Sequence, residues 1–77
     1  MMAIFKVSAN NGSIKLIVRA QCLSCARSVA ALESPASEKL TWRDPSQSKV
    51  QVIYNPEREG YDPKGKRGIL KREYYDR

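Results

Sequence analysis

Apolar and polar positions alternate at the start of the chain. In AIFKVSANNGSIKLIVRA, residues 3–20, two apolar-rich runs flank Asn10-Asn11-Gly12. A period of two belongs to a strand with one covered face, and Asn-Gly supplies the positive φ angles that a tight hairpin turn needs. In the second run Ile14, Leu16, Val18 and Ala20 point one way, and Lys15, Ile17 and Arg19 the other.

From about residue 21 to 33 the period lengthens. Alanine becomes frequent, and Cys22, Cys25, Ala26, Val29 and Leu32 fall on one stripe at spacings of three and four, which predicts a helix. Arg27 and Ser28 lie off that stripe. Ser34-Pro35 stops the helix, because proline disfavours helical geometry in the residue before it. Asp44-Pro45-Ser46 then signals a turn. Residues 49–54 alternate again, with Val50, Val52 and Tyr54 on one face and Lys49, Gln51 and Ile53 on the other, and Asn55-Pro56 ends the run. EREGYDPKGKRG is a polar loop with glycines at 60, 65 and 68, and ILKREYYD reads as a last, charged strand at a sheet edge.

The predicted order is β-β-α-β-β: an α+β domain with an antiparallel sheet of about four strands and one helix on one face. One helix covers one face only, so the other meets solvent or a partner. By the alternation, that open face carries Lys6, Lys15, Arg19 and Lys49, with Ile4, Ile17 and Ile53 between them. Cations interleaved with exposed isoleucines describe a contact surface. They equally describe a solvated face whose lysines guard against edge-to-edge pairing.

Length and charge narrow the function classes. The chain has 77 residues, read as a single small domain over 1–77, with room for one binding surface and little for a deep catalytic pocket. Fourteen Lys+Arg against eight Asp+Glu give a formal charge of +6, which favours anionic partners. Histidine is absent, and with it the usual general base near neutral pH and the commonest metal ligand. No apolar run approaches the roughly 20 residues of a membrane span, and MMAIFKVSANNG lacks the apolar core and cleavage site of a signal peptide. The expected compartment is therefore a reducing cytoplasm, and no membrane partner is expected.

The two cysteines form a C-x-x-C, Cys22 and Cys25. The favoured reading is packing: free cysteine behaves as a small hydrophobe, and both share a stripe with Val29 and Leu32. Structural zinc would need four ligands, and no histidine or further cysteine completes the set. A redox pair at a helix start is a second reading, although a thioredoxin-like frame needs more chain than this. The third is a soft-metal site. IKLIVRAQCLSCARSVAALES followed by SKVQVIYNPE resembles the heavy-metal-associated domains of copper chaperones, which implies Cu(I) held by two thiolates. Arg19-Ala20-Gln21 stands where that family has Gly-Met-Thr, and its second helix has no counterpart here.

No nucleophile is paired with a base, and GKRG is too short for a phosphate-binding loop, so neither enzymatic activity nor a cofactor is expected. Trp42, beside the turn, is expected to cap the small core. A second resemblance spans most of residues 13–75. Ala20, Cys22, Ala26-Arg27, Ala30-Ala31, Trp42, Asp44-Pro45, Ser48 and Gly68-Ile69-Leu70 are similar to a pattern in small proteins of phages and mobile elements, and the element order resembles some type I anti-CRISPR proteins. That resemblance implies a non-enzymatic inhibitor of a host defence complex, such as a CRISPR effector, acting in the host cytoplasm by occupying a surface. The cations expected to meet the partner are Lys6, Lys15, Arg19 and Lys49 on the sheet, and Lys64, Lys66, Arg67, Lys71 and Arg72 in the loop and last strand. The alternative is direct nucleic-acid binding, for which the sheet offers few aromatics.

Overall fold

A computed structural model describes residues 2–75. Strand β1 (Ala3–Ala9) and strand β2 (Ile14–Ala20) form the hairpin. Helix α1 (Leu23–Leu32) follows, then a 3-10 turn (Ala36–Glu38) running into a short helix α2 (Lys39–Arg43). Strand β3 (Ser48–Val52), a 3-10 turn (Pro56–Glu59) and strand β4 (Gly68–Tyr74) complete the chain. Asp76, which the sequence assigned to the last strand, lies outside the described residues. The result is an α+β domain with a four-stranded antiparallel sheet and helices packed against it.

The hairpin pairs Phe5 with Val18 and Val7 with Leu16, so the apolar sets of both strands share one face. Of Asn11 and Gly12 only the glycine takes positive φ, at 77°, and its N–H closes the turn on the Ala9 carbonyl at 2.9 Å. Val7 and Phe5 also face Val50 and Val52 of β3. Over this apolar face lie Ala26, Val29, Ala30 and Ala31 of α1 and Trp42 of α2, all buried. The alanines let the helix sit close to the sheet, while the bulkier Leu23 and Leu32 turn to solvent. That departs from the expected stripe, which had placed Leu32 in the core.

The pattern of residues 36–43 marks no element of its own, and a single helix is expected from the sequence. The short α2 in this stretch delivers Trp42 to the core at 0 % exposure, in the capping role expected of it. Arg27, off the predicted stripe, ties the layer together. Its guanidinium donates to the Trp42 carbonyl at 3.1 Å, to Ser48 Oγ at 2.7 Å and to the Ser48 carbonyl at 2.9 Å. The turn after α2 is held by Asp44 Oδ1, which accepts from the Ser46 N–H at 2.9 Å and the Ser46 hydroxyl at 2.7 Å. Those bonds hold the Asp44 carboxyl below its usual range.

The strand order is β3-β1-β2-β4, which puts β3 and β4 on opposite edges. Residues 53–67 must therefore cross from one edge to the other. They cross the face away from the helices and act as a strap over one end of it. Arg19 fastens the strap: Nε donates to the Asp62 carbonyl at 2.9 Å and Nη1 to the Lys66 carbonyl at 3.0 Å. Gly65 takes φ 133°, which disfavours any side chain, and a Cβ there would fall 2.6 Å from Arg19 Nη1 and push the guanidinium aside. Beneath this end of the face Ile4 is 0 % and Ile17 4 % exposed. Alternation alone predicts both as exposed contact residues. The correction has a topological cause: the last strand joins the far edge of the sheet, and the linker to it covers them.

Candidate functional site

The uncovered part of that face is a groove of about 690 Å³ between the sheet and the wall of the strap. Its floor comes from alternate positions of four strands, Gln51 on β3, Lys6 on β1, Lys15 on β2, and Lys71 and Glu73 on β4, with the nearly buried Ile17 reaching its lining. Strap residues Tyr54, Arg58, Glu59 and Tyr61 line it as well. Four cations thus face two carboxylates. Of the two, Glu73 is neutralised locally: its Oε1 lies 3.5 Å from Lys71 Nζ, and its Oε2 accepts the Tyr75 hydroxyl at 2.7 Å.

Two groups of the groove, Glu73 and Lys15, are held in their charged forms. The bond from Tyr75, with the positive charge of Lys71 and Lys15, holds the Glu73 carboxyl below its ordinary value. Lys15 is held above its ordinary value, chiefly by the Tyr75 side chain beside it. Its ammonium also sits 5.7 Å from the centre of the Tyr75 ring, within the range of a cation–π contact.

Of the nine cations named from the sequence, the structure brings Lys6, Lys15 and Lys71 into this groove. Lys49 lies opposite Ser8 on the same sheet face, exposed, beyond the groove's end. Lys64, Lys66 and Arg67 are exposed on the strap, where Lys66 and Arg67 line a separate cavity. Arg19 and Arg72 serve inside the molecule. Arg19 holds the strap, as described. Arg72 is on the opposite, helix-bearing side, where it meets Glu38 Oε1 at 2.7 Å, Ser34 Oγ at 3.0 Å and the Glu33 carbonyl at 3.2 Å. The β4 register explains that side: it steps past Leu70 at a bulge, leaving Lys71 and Glu73 on the groove face and Arg72 and Tyr74 on the other.

The aromatic lining was not foreseen. Alternation had placed Tyr54 with Val50 and Val52, but β3 ends at Val52 and the chain turns, leaving Tyr54 86 % exposed at the groove. Asn55-Pro56, directly after Tyr54, was the available turn signal that the strand gives way near this point. Arg58 and Tyr61 sat in what read as a plain polar loop.

The cysteines are also placed differently from the packing reading. Cys22 is the N-cap of α1, with extended geometry (φ −154°, ψ 171°), and its side chain is exposed. An N-cap side chain must turn back toward the first helical turn to accept an orphan N–H, which keeps it out of the core. Here the acceptor is Cys22 Sγ, 3.1 Å from the Cys25 N–H. Only Cys25 is part-buried against the core, and the two sulfurs are joined as a disulfide. Among the described residues no group of three or more His, Cys, Asp or Glu side chains is placed to hold a metal ion.

No protein-family model, curated protein or solved structure matches the chain.

Proposed function

We propose that the protein is a non-enzymatic binding domain that holds a single nucleic-acid strand in the lysine- and tyrosine-lined groove. The observation that carries this reading is the exchange of side chains at the site. Of the isoleucines that would have anchored a protein partner, Ile4 and Ile17 are buried and Ile53 is left part-buried in the groove wall, while Lys6, Lys15, Lys71 and Arg58 line the groove with Tyr54 and Tyr61, against Glu59 and Glu73. Cations that track phosphates beside exposed aromatic rings that stack on bases are the two components of sequence-tolerant single-strand binding. A tyrosine 86 % exposed contributes little to folding and offers a whole ring face to a base.

The inhibitor function implied by the phage-protein resemblance would use this same surface, either by holding the strand a defence complex needs or by sitting where that strand runs. Affinity capture from host extract, with and without nuclease, separates these. Loss of all bound material on nuclease treatment supports strand binding. A protein partner that survives nuclease moves the function to occlusion of a protein surface and contradicts direct binding. Tyr54→Ala adds a residue-level test, because removing one stacked ring costs about 1–3 kcal/mol of strand affinity and should leave folding unchanged.

A further inference from the structure

We propose that Cys22 and Cys25 form a thiol–disulfide exchange site for small disulfides bearing carboxylates, with Cys22 the attacking sulfur and Cys25 the resolving one. The site shares no lining residue with the groove and does not depend on what binds there.

The pairing itself is the first ground: the two sulfurs are joined across one turn at the start of α1, with Cα atoms 4.9 Å apart. Access then separates the partners. Cys22 is exposed and Cys25 part-buried, so an external disulfide meets Cys22 first. Charge favours the same order. Cys22 Sγ accepts the Cys25 N–H at 3.1 Å, lies 3.3 Å from Ser24 Oγ, and sits at the positive end of a ten-residue helix. All three stabilise a thiolate at Cys22 in the reduced pair. Substrate class follows from the neighbouring cavity of about 550 Å³, which Cys25 lines together with Lys66 and Arg67 and no acidic residue. Two cations beside a reactive pair select a disulfide that carries carboxylates.

The chemistry balances without a metal or cofactor. The Cys22 thiolate attacks one sulfur of the small disulfide, forming a mixed disulfide and releasing one thiolate, which takes a proton from solvent. Cys25, giving up its proton, attacks Cys22 Sγ. The Cys22–Cys25 bond forms, and the second small thiol leaves. Two electrons pass from the protein pair to the small disulfide, which is reduced to two thiols.

The test uses the reduced full-length chain with glutathione disulfide and with uncharged hydroxyethyl disulfide, quenched by alkylation and read by mass spectrometry. The wild type should release two thiols per chain and end as the Cys22–Cys25 disulfide. Cys25→Ser should accumulate a mixed disulfide on Cys22. Should that variant fail to fold, peptide mapping of the wild type at early times gives the same assignment. Lys66→Glu with Arg67→Glu should slow the reaction with glutathione disulfide by roughly 10-fold and leave hydroxyethyl disulfide unaffected. Absence of thiol release, a first adduct on Cys25, or equal slowing with both probes overturns the proposal.

Discussion

Replacing Arg19 with alanine separates two roles that its position on the sheet leaves open, a partner-facing cation and a fastener. The structure assigns the second, through two guanidinium bonds to strap carbonyls that lie 43 and 47 residues away in sequence. A net contribution of about 0.5–1.5 kcal/mol per bond puts the loss at about 1–3 kcal/mol. A chain of this size has a total stability of about 4–12 kcal/mol, so the variant should still fold. The loss should be local, because the hairpin ladder and the core do not use this side chain. Hydrogen exchange is the assay. Protected amides of the strap, such as Tyr61 N–H on the Pro56 carbonyl at 2.9 Å, should exchange roughly 5- to 150-fold faster, while amides of the central ladder stay near wild-type rates. Arg19→Lys keeps the charge without the two-pronged donor and should behave like the alanine variant in this assay. Strap amides that exchange at wild-type rates in Arg19→Ala would refute the fastening role and return Arg19 to the set of partner-facing cations.

Other expectations follow from single contacts. Trp42→Ala empties the largest fully buried side chain and should cost about 3–5 kcal/mol, measured by urea denaturation; a loss under about 1 kcal/mol would contradict its place in the core. Arg72→Ala leaves Glu38 without its 2.7 Å partner on the helix side, and should lower stability by about 1–3 kcal/mol with no change in strand affinity. Strand affinity should show no histidine step near neutral pH, since histidine is absent. On the acid side the sign is set by Glu73. Its depressed folded-state value means that its contribution to stability is present above the unfolded carboxylate range and is lost only as pH falls through the folded value, where protonation also removes a negative charge from the groove and tightens strand binding. A titration near neutrality, followed by anisotropy, would contradict this charge assignment.

The elements written in local pattern were legible from the sequence. The alternation in 3–20 and the Asn-Gly turn give the hairpin and its facing. The alanine-rich run with Ser34-Pro35 gives α1, and Asp44-Pro45-Ser46 gives the turn into β3. What was not legible depends on partners distant in the chain. Nothing local states that β4 joins the far edge beside β2, so nothing announced the strap or the burial of Ile4 and Ile17 under it. Arg19 looked like any outward cation because its acceptors are backbone carbonyls of residues 62 and 66. Arg72 was placed by a bulge at Leu70 that no residue type marks. Cys22 fitted the helical period but serves as the cap, a position where period ceases to predict burial. Lys6, Lys15 and Lys71 were found as single cations; their grouping with Arg58 and the tyrosines is a product of the crossing.

The claim that a strand lies in the groove is tested most directly by the salt dependence of its binding. Fluorescence anisotropy with a labelled single-stranded oligonucleotide should be measured between about 50 and about 200 mM salt, on the wild type and on Lys6→Glu with Lys15→Glu. If Lys6, Lys15, Arg58 and Lys71 each neutralise one phosphate, log affinity should fall with log salt at a slope of roughly −3, a loss of roughly 50-fold over that range. The double reversal should weaken binding at every salt concentration and flatten the slope to roughly −1.5. A wild-type affinity that is absent or independent of salt, or a slope unchanged by reversing two lysines of the groove floor, would contradict the account.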